Sequence, residues 1–366
     1  MQISIRREDL LKPLSQVAGI VERRQTLPIL SNILVSADGE GLTLTGTDLE
    51  VEAVAVTAAK AAKSGEITVP ARKLLDICRA LPAQAEIDIT VEGEKVGIRS
   101  GHSRFSLVTL PVADFPNLET TEWDVSFELA QRTLKGLFER TQFSMAQQDV
   151  RYYLNGLLLE ISDDKLRAVA TDGHRMAISE TDLEVGLPEA RQSIVPKKGV
   201  HELSRFLEDT EDVVAMRLSR NHLRVEVPGL TVTTKLIDGR FPDYTKVIPP
   251  AQTKLITINR DQFRDALNRA AILSNERYRG IRFSISPGKI VISAHNPDQE
   301  EAREELTVEY TGEELEVGFN SNYMVEAVNA LDSEMVELGL SDTNSSGTLR
   351  SPGNLTTQYV VMPMRL

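Results

Sequence analysis

Several features that are common in other protein classes are scarce or missing in this sequence of 366 residues. Cys78 is the only cysteine, so an intrachain disulfide is impossible and the chain suits a reducing compartment. No apolar run approaches the roughly 20 residues that a transmembrane helix needs. Arg6 and Arg7 are not followed by the apolar core of a secretion signal. We therefore expect a cytoplasmic protein without a membrane partner.

Catalytic and metal-binding signatures are missing as well. The sequence contains no G-x-x-x-x-G-K-[ST], H-E-x-x-H, G-x-S-x-G or C-x-x-C motif. Its histidines, at positions 102, 174, 201, 222 and 295, lack the spacing of metal ligands. We expect neither an enzyme nor a cofactor. A hydrolase that uses carboxylates and a divalent ion is the alternative, but it would need clustered acids that no motif shows.

One plan occurs three times along the chain, a short strand that leads into a helix with an apolar stripe. Asp48, Asp172 and Asn296 each follow a β-rich run and are spaced by 124 residues. Three copies of about 122 residues each have a usual domain size, and we place the domains at 1–122, 123–250 and 251–366. The stripes are Leu10, Leu14, Val17, Ala18 and Val21; Leu134, Leu137 and Phe138; and Phe263, Ala266, Leu267, Ala270 and Ala271.

Each repeat predicts a strand, a helix, several strands, a second helix and several more strands. Runs such as L-R-V-E-V-P-G-L-T-V-T-T-K-L-I alternate with the period of half-buried strands. The second helices begin near Pro70, Pro196 and Asn320, and proline in a first helical turn costs no hydrogen bond. The pattern indicates an α+β fold in which each domain has two helices packed on antiparallel sheets.

Positive charge concentrates in the predicted helices, although the whole chain has a net charge of −13. These segments hold 17 Lys and Arg against 9 Asp and Glu, so the remainder carries −21. Such a protein could accept a polyanion on one face and repel it elsewhere, although helix propensity alone also favours Lys and Arg. The segments are 6–24, 72–79, 132–140, 197–205, 260–269 and 322–330.

Three short stretches have side chains suited to binding. The Asp-Gly pair in T-D-G-H-R (171–175) predicts a hairpin with His174 and Arg175 at its tip, which turn chemistry alone would also explain. The stretch Q-Q-D-V-R-Y-Y (147–153) could contact phosphates and stack on bases, or Tyr153 could start a strand and face the core. The apolar ending Y-V-V-M-P-M-R-L predicts an edge strand followed by a docking surface for a peptide.

Over its whole length the sequence resembles the β subunits of bacterial DNA polymerase III, the replicative sliding clamps. The likeness rests on L-T-G-T-D-L-E, V-P-A-R-K, S-R-F-S-L, D-F-P-N-L, Q-D-V-R-Y-Y-L-N-G, A-T-D-G-H-R, D-G-R-F-P-D-Y, A-I-L-S-N-E and Y-V-V-M-P-M-R-L. The resemblance implies three domains of the DNA clamp fold in a ring-shaped head-to-tail homodimer, with helices lining a hole for double-stranded DNA. It also implies peptide partners from the replicative polymerase, the clamp loader and repair proteins. A monomeric three-domain scaffold that binds peptides but never DNA is the second alternative.

The resemblance implies three sets of site residues. The expected DNA contacts are Arg24, Arg72, Gln148, Arg151, Tyr152, Tyr153, Lys198 and Arg205. The expected peptide cleft, between the second and third domains, comprises Leu154, Thr171, Gly173, His174, Arg175, Met176, Pro242, Lys246, Val247, Asn320, Tyr323, Ser346, Val360, Met362, Pro363, Met364 and Arg365. The expected dimer interface joins Lys73, His102, Arg104 and Leu107 to Ile272, Leu273, Glu300, Glu301 and Glu304.

Three positions near the cleft depart from the family pattern. Met176 stands where leucine is common, Lys246 replaces arginine, and Asn344 replaces valine. Methionine is more flexible than leucine, and lysine lacks the planar fork of arginine. We expect the cleft to persist with an altered preference for one peptide side chain.

Overall fold

The computed structural model describes residues 1–22, 27–39, 41–116, 122–162, 164–187, 189–250 and 252–365. Within these ranges the chain forms six α-helices and 25 β-strands. The helices are α1 (Arg7–Ile20), α2 (Ala71–Ala80), α3 (Gln131–Thr141), α4 (Lys197–Phe206), α5 (Arg260–Ala271) and α6 (Ser321–Asn329). Each third of the sequence therefore contributes two helices, as the repeat predicts.

The strands follow the same threefold order. Those of the first third are β1 (Gln2–Arg6), β2 (Asn32–Asp38), β3 (Gly41–Thr47), β4 (Val51–Ala58), β5 (Lys60–Lys63), β6 (Gly65–Pro70), β7 (Glu86–Glu92), β8 (Lys95–Ser100) and β9 (Ser103–Val108). Those of the second are β10 (Val125–Ala130), β11 (Gly156–Ile161), β12 (Lys165–Thr171), β13 (Arg175–Asp182), β14 (Arg191–Pro196), β15 (Val213–Leu218), β16 (His222–Val227) and β17 (Leu230–Lys235). Those of the last are β18 (Lys254–Asn259), β19 (Gly280–Ser286), β20 (Lys289–His295), β21 (Glu301–Thr307), β22 (Leu315–Asn320), β23 (Met335–Leu340), β24 (Gly347–Arg350) and β25 (Thr357–Val361).

The described strands form four sheets, and their pairings are antiparallel. One compact unit, Met1–Arg132 with His201–Leu236, contains the sheets β5-β1-β7-β8-β9 and β10-β15-β16-β17-β4-β3-β2-β6. The other unit, Thr133–Val200 with Ile237–Leu366, contains the sheets β14-β11-β12-β13-β25-β24-β23-β18 and β21-β20-β19-β22.

Each eight-stranded sheet continues from one third of the sequence into the next. In the first unit β17 pairs with β4, from Leu230 opposite Ala55 to Thr234 opposite Val51. In the second unit β13 pairs with β25 in the same way over five residues. Backbone hydrogen bonds therefore join neighbouring repeats, in addition to the covalent chain.

The apolar stripes of the first helices form the cores. Leu10, Leu14, Val17, Ala18, Val21, Leu134, Leu137, Phe138, Phe263, Ala266, Leu267 and Ala270 are all buried, whereas Ala271 is half-buried. In the last third, the Phe283 ring lies 5.8 Å from that of Phe263 and 5.5 Å from that of Phe319, between centroids. Full burial of a valine, leucine or phenylalanine side chain stabilises the fold by about 1.5–3 kcal/mol.

The residues spaced by 124 positions have one physical role, which is to close a turn after a strand. Asp48 Oδ1 accepts hydrogen bonds from the backbone N–H groups of Glu50 and Val51. Asp172 Oδ1 accepts from those of His174 and Arg175. Asn296 Oδ1 accepts from Asp298 and Glu300. Short polar side chains favour such turns because they replace a backbone acceptor.

One predicted helix end was wrong, whereas two predicted helix starts are confirmed. Helix α1 ends at Ile20, which is earlier than the predicted segment 6–24, whereas α3 (Gln131–Thr141) agrees with the predicted segment 132–140 to within one residue at each end. The second helices begin near Pro70 and Pro196 as predicted, because each proline is the last residue of a strand, β6 or β14, and the helix begins one residue later. Proline suits a strand end before a helix because it needs no amide partner there.

Candidate peptide cleft and nucleic-acid contacts

A polar hairpin between β12 and β13 forms the centre of the predicted cleft. Thr171 Oγ1 donates to the carbonyl of Arg175 at 2.6 Å and accepts from the Gly173 amide at 3.1 Å. Gly173 has φ +88°, which a residue with a side chain rarely adopts. A Cβ there would also lie 2.9 Å from the Arg151 guanidinium. Glycine at this position lets the loop close over that arginine.

The Arg175 side chain, only 10% exposed, joins this hairpin to α6. Its Nε donates to Asp172 at 3.1 Å, Nη1 donates to Glu326, and Nη2 donates to the Phe143 carbonyl at 2.6 Å. Its guanidinium carbon lies 4.5 Å from the Tyr323 ring centroid. The planar fork of arginine satisfies all of these partners together, which lysine could not do. Arg175 therefore has a structural role at the cleft and is not a free surface cation.

The end of the chain binds along the hairpin and then crosses to another sheet. Strand β25 pairs with β13, after which the Met362 amide donates to the His174 carbonyl at 2.9 Å. The Met364 amide donates to the Gly318 carbonyl of β22 at 2.8 Å. These two bonds fix the path of the tail, while 40% of Met362 stays exposed to solvent.

An apolar cluster underlies these segments. Leu154, Met176, Val360, Phe241 and Tyr244 belong to one group of buried residues. The predicted cleft residues differ in their exposure to solvent. Leu154, Met176 and Val360 are buried; Thr171, Gly173, Arg175, Asn320, Tyr323, Ser346, Pro363 and Met364 are half-buried; and His174, Pro242, Lys246, Val247, Met362 and Arg365 are exposed.

Polar contacts hold the remaining cleft residues. Asn320 caps α6 by accepting from the Tyr323 amide at 3.3 Å. Burial raises the pKa of the Tyr323 hydroxyl, so this group stays protonated near neutral pH. The Ser346 carbonyl accepts from the Gln252 amide group at 3.2 Å. Lys246 pairs with Asp243 at 3.0 Å but remains 81% exposed.

The loop before β11 holds four of the predicted DNA contacts. Arg151 donates from Nε and Nη2 to Asp149, at 3.0 and 2.8 Å, and these bonds lower the pKa of Asp149 to about 2. Gln148 is exposed and has φ +53°. Tyr152 and Tyr153 lie in a short 3₁₀ turn, with ring centroids 5.7 Å apart. The alternative in which Tyr153 starts a strand was wrong, because β11 begins at Gly156.

These two tyrosines differ in exposure. Tyr152 is 56% exposed and is therefore available to a ligand. Tyr153 is half-buried and packs against the apolar cluster beneath the cleft.

The other predicted DNA contacts lie on the helices. Arg72, on α2, is exposed and donates to the Val21 carbonyl at 3.2 Å. Arg205, on α4, pairs with Glu202 at 2.7 Å and donates to the Gln16 carbonyl at 3.3 Å. Its side chain remains 45% exposed. Lys198 is half-buried at the start of α4, and Arg24 lies outside the described residues.

The predicted interface residues lie on exposed edges. Lys73, His102, Arg104, Glu300 and Glu301 are exposed, whereas Leu107, Leu273 and Glu304 are half-buried. Strands β9 and β21 each lie at one edge of a described sheet. Ile272 is 74% exposed directly after α5, so it is not a core residue. Glu304 already pairs with Arg269, at 2.6 Å.

Models of the DNA polymerase III beta subunit match the chain in three consecutive stretches. The N-terminal domain model matches residues 1–119, the central domain model 128–243 and the C-terminal domain model 245–365. The chain belongs to the DNA polymerase III beta subunit family. Members of this family are non-catalytic processivity factors, so the expectation that the protein is not an enzyme is confirmed.

Named relatives agree over the full length. The beta sliding clamp of Pseudomonas putida KT2440 is 52% identical, and that of Escherichia coli K12 is 49% identical, with 100% of both chains covered in each case. A crystal structure of the DNA polymerase III subunit beta from Pseudomonas aeruginosa has 51% identity and a TM-score of 0.98, with 100% of both chains covered. A DnaN sliding clamp from the same species, bound to griselimycin, has a TM-score of 0.97 at 51% identity, again with 100% of both chains covered. Three clamp domains of mixed helix and antiparallel sheet are confirmed.

Two further properties bear on function. No group of three or more His, Cys, Asp or Glu side chains that could hold a metal ion occurs in the described ranges. None of the helices among the described residues has the length and apolarity needed to cross a membrane.

Proposed function

We propose that two copies of the chain close head to tail into a ring around double-stranded DNA and tether DNA polymerase to it. The match to all three domains of the polymerase III beta subunit, without a gap longer than a linker, is the observation that carries this proposal. Topological linkage would then supply processivity, because an enclosing ring can slide without gripping any site. We infer that the protein works inside the cell, in the cytoplasm, where bacterial DNA lies.

The proposed contact between subunits joins β9 of one copy to β21 of the other. Both strands are sheet edges with backbone groups available for pairing. Arg104 on β9 and Glu301 on β21 carry opposite charges, and Ile272 offers an apolar group to bury. The contact is heterologous, and it would close after two steps to give two equal interfaces.

The proposed DNA contacts are to phosphates and carry no base information. Arg72, Lys198 and Arg205 lie on the second helices of the first two domains, and Gln148, Arg151, Tyr152 and Tyr153 lie in the loop before β11. Contacts to phosphate depend little on sequence, so their energy stays nearly constant as the ring moves. The whole set, including Arg24, remains a prediction.

The proposed partner site is the cleft around the β12–β13 hairpin. Exposed Val247 and Met362 beside buried Met176 and Val360 offer an apolar surface for a short extended peptide. Arg175 is too fully paired to serve as a free anion site. We propose that the replicative polymerase, the clamp loader and repair proteins present such peptides, and that Met176, Lys246 and Asn344 alter the preference at one side chain.

Retention on circular DNA tests the ring directly. The protein is loaded on nicked circular DNA with a clamp loader and ATP, and the DNA is then linearised. A ring slides off the cut ends, whereas a protein bound to a site on the DNA remains. Retention of the wild-type protein after linearisation would refute encirclement.

Sedimentation of the free protein separates the ring from the monomeric scaffold. The variant Leu355→Ala is a matched control for changes at Ile272, because both side chains are 74% exposed and both lie in the last third of the chain.

We also propose that the three domains span residues 1–122, 123–250 and 251–366. Limited proteolysis tests these boundaries, because cleavage should occur near them.

A further inference from the structure

One side of the cleft lies on a short segment, 241–248, that packs against residues of β11, β12 and β13. This segment presents Pro242 and Val247 at the surface, and both are exposed. Its two aromatic residues point inward, with Phe241 4% and Tyr244 5% exposed. The position of the exposed residues therefore depends on how the aromatic residues are held.

The Tyr244 hydroxyl is held by two charged side chains. It donates to Glu160 Oε1 at 2.8 Å and accepts from Arg167 Nη1 at 2.7 Å. Burial, and then the bond to Glu160, raise the pKa of Tyr244 to about 12, so the hydroxyl keeps its proton near neutral pH. Hydrogen bonds to charged groups are stronger than those between neutral groups.

The two charged groups are themselves fixed by the sheet register. Glu160 lies opposite Arg167, and Arg167 lies opposite Glu180, on three neighbouring strands. Arg167 donates to Glu160 and Glu180, each at 2.8 Å. Lys165 adds a bond to Glu180 at 2.8 Å. This ladder gives Tyr244 a rigid attachment point on the strands.

The backbone transmits the position of Tyr244 to the exposed residue. The Val247 amide donates to the Tyr244 carbonyl at 3.0 Å, which closes a 3₁₀ turn over Tyr244–Lys246. Asp243 strengthens the turn by accepting from the Thr245 hydroxyl at 2.6 Å. Val247 is thus one hydrogen-bonded turn away from the attachment point.

We propose that Tyr244 is a positioning residue of the cleft, which sets Val247 to receive an apolar side chain of a partner peptide through its bonds to Glu160 and Arg167. This inference rests on the proposed peptide-binding function. It assigns to Tyr244 no contact with the peptide itself. Without the hydroxyl, the turn loses its attachment point and Val247 moves relative to the rest of the cleft.

The test compares two tyrosines that are matched in burial and that each donate a hydroxyl hydrogen bond. Tyr310 is 7% exposed, and its hydroxyl donates to the Glu313 carbonyl at 2.6 Å, in the last third of the chain. Affinity for a fluorescein-labelled peptide with the clamp-binding segment of the replicative polymerase is measured by anisotropy for Tyr244→Phe and Tyr310→Phe. We expect a loss of about fivefold for Tyr244→Phe, the size of one net hydrogen bond, and no change for Tyr310→Phe.

A double-mutant cycle separates positioning from general destabilisation. In a Val247→Ala background, Tyr244→Phe should no longer weaken binding, because the side chain that it positions is gone. In a Met362→Ala background, on the other side of the cleft, the loss should remain about fivefold. The two backgrounds thus predict different results from the same substitution.

Each remaining outcome overturns the inference. Wild-type affinity for Tyr244→Phe, or an equal loss in both backgrounds, would show that Tyr244 does not act through Val247. If the wild-type protein fails to bind the peptide, the proposed function fails and the inference falls with it. Binding by the wild type together with unchanged binding by Tyr244→Phe rejects the inference alone.

Discussion

The double substitution Ile272→Ala with Leu273→Ala tests the proposed ring at its most exposed apolar point. Ile272 is 74% exposed in the single chain and Leu273 is half-buried. Neither residue is in the buried core of its domain, so the substitution should leave the domain folded. We expect it to convert the dimer into monomers.

The size of the effect follows from the exposed area. Full burial of such a side chain contributes about 1.5–3 kcal/mol, so burying the exposed part of Ile272 contributes about 1–2 kcal/mol and Leu273 about 1 kcal/mol. A ring has two equal interfaces, so the loss doubles to about 4–6 kcal/mol. That corresponds to a dissociation constant raised about 10³- to 10⁴-fold.

Sedimentation velocity from nanomolar to micromolar concentration measures this constant. Leu355→Ala should sediment as the wild type does, since it removes an equally exposed leucine away from the proposed contact. Circular dichroism and peptide affinity report whether the monomer stays folded. A double variant that remains dimeric at the wild-type dissociation constant would show that the contact lies elsewhere.

Three further expectations concern the tail, the DNA contacts and the loop before β11. Deleting residues 362–366 should abolish peptide binding by anisotropy and leave sedimentation of the dimer unchanged; unaltered affinity would contradict the cleft assignment. Arg205→Ala should weaken DNA binding modestly and reduce by about one the slope of the logarithm of affinity against the logarithm of salt concentration. Arg217→Ala, whose side chain is comparably exposed and ion-paired but lies on a sheet, should change neither quantity. In an NMR titration Asp149 should protonate near pH 2 in the wild type and nearer to its ordinary pKa of 3.8 in Arg151→Ala. A carboxyl whose pKa is lower in the folded than in the unfolded state stabilises the fold at any pH above its unfolded pKa, and this stabilisation is lost as the pH falls towards about 2. The loop should therefore remain ordered at pH 4. Equal titration of Asp149 in both proteins would refute the pairing with Arg151.

Local features were predictable from the sequence. The stripe that includes Leu10 and Leu14 is buried as its helical spacing predicts, because neighbours along a helix determine which face is apolar. Asp48 and Asp172 close turns where the repeat places them. Helix ends were less predictable, since apolar Val21 continues the stripe for one residue after α1 ends.

Long-range pairs were missed because they depend on strand register and domain packing. Arg175 meets Glu326, 151 positions away, and Tyr244 meets Glu160, 84 positions away. The motif D-G-R-F-P-D-Y contained Tyr244 but gave it no role. A signal was available for Glu160 and Arg167, because residues of opposite charge that face each other on adjacent strands favour pairing.

The strand pairing between β17 and β4, and between β13 and β25, limits how the protein can be dissected. A fragment cut at a proposed domain boundary would lose five paired residues along one side of a sheet. The exposed edge strand could then pair with the same edge strand of an identical fragment. Single thirds produced in isolation should therefore aggregate or exchange strands, whereas adjacent thirds produced as separate chains should recombine.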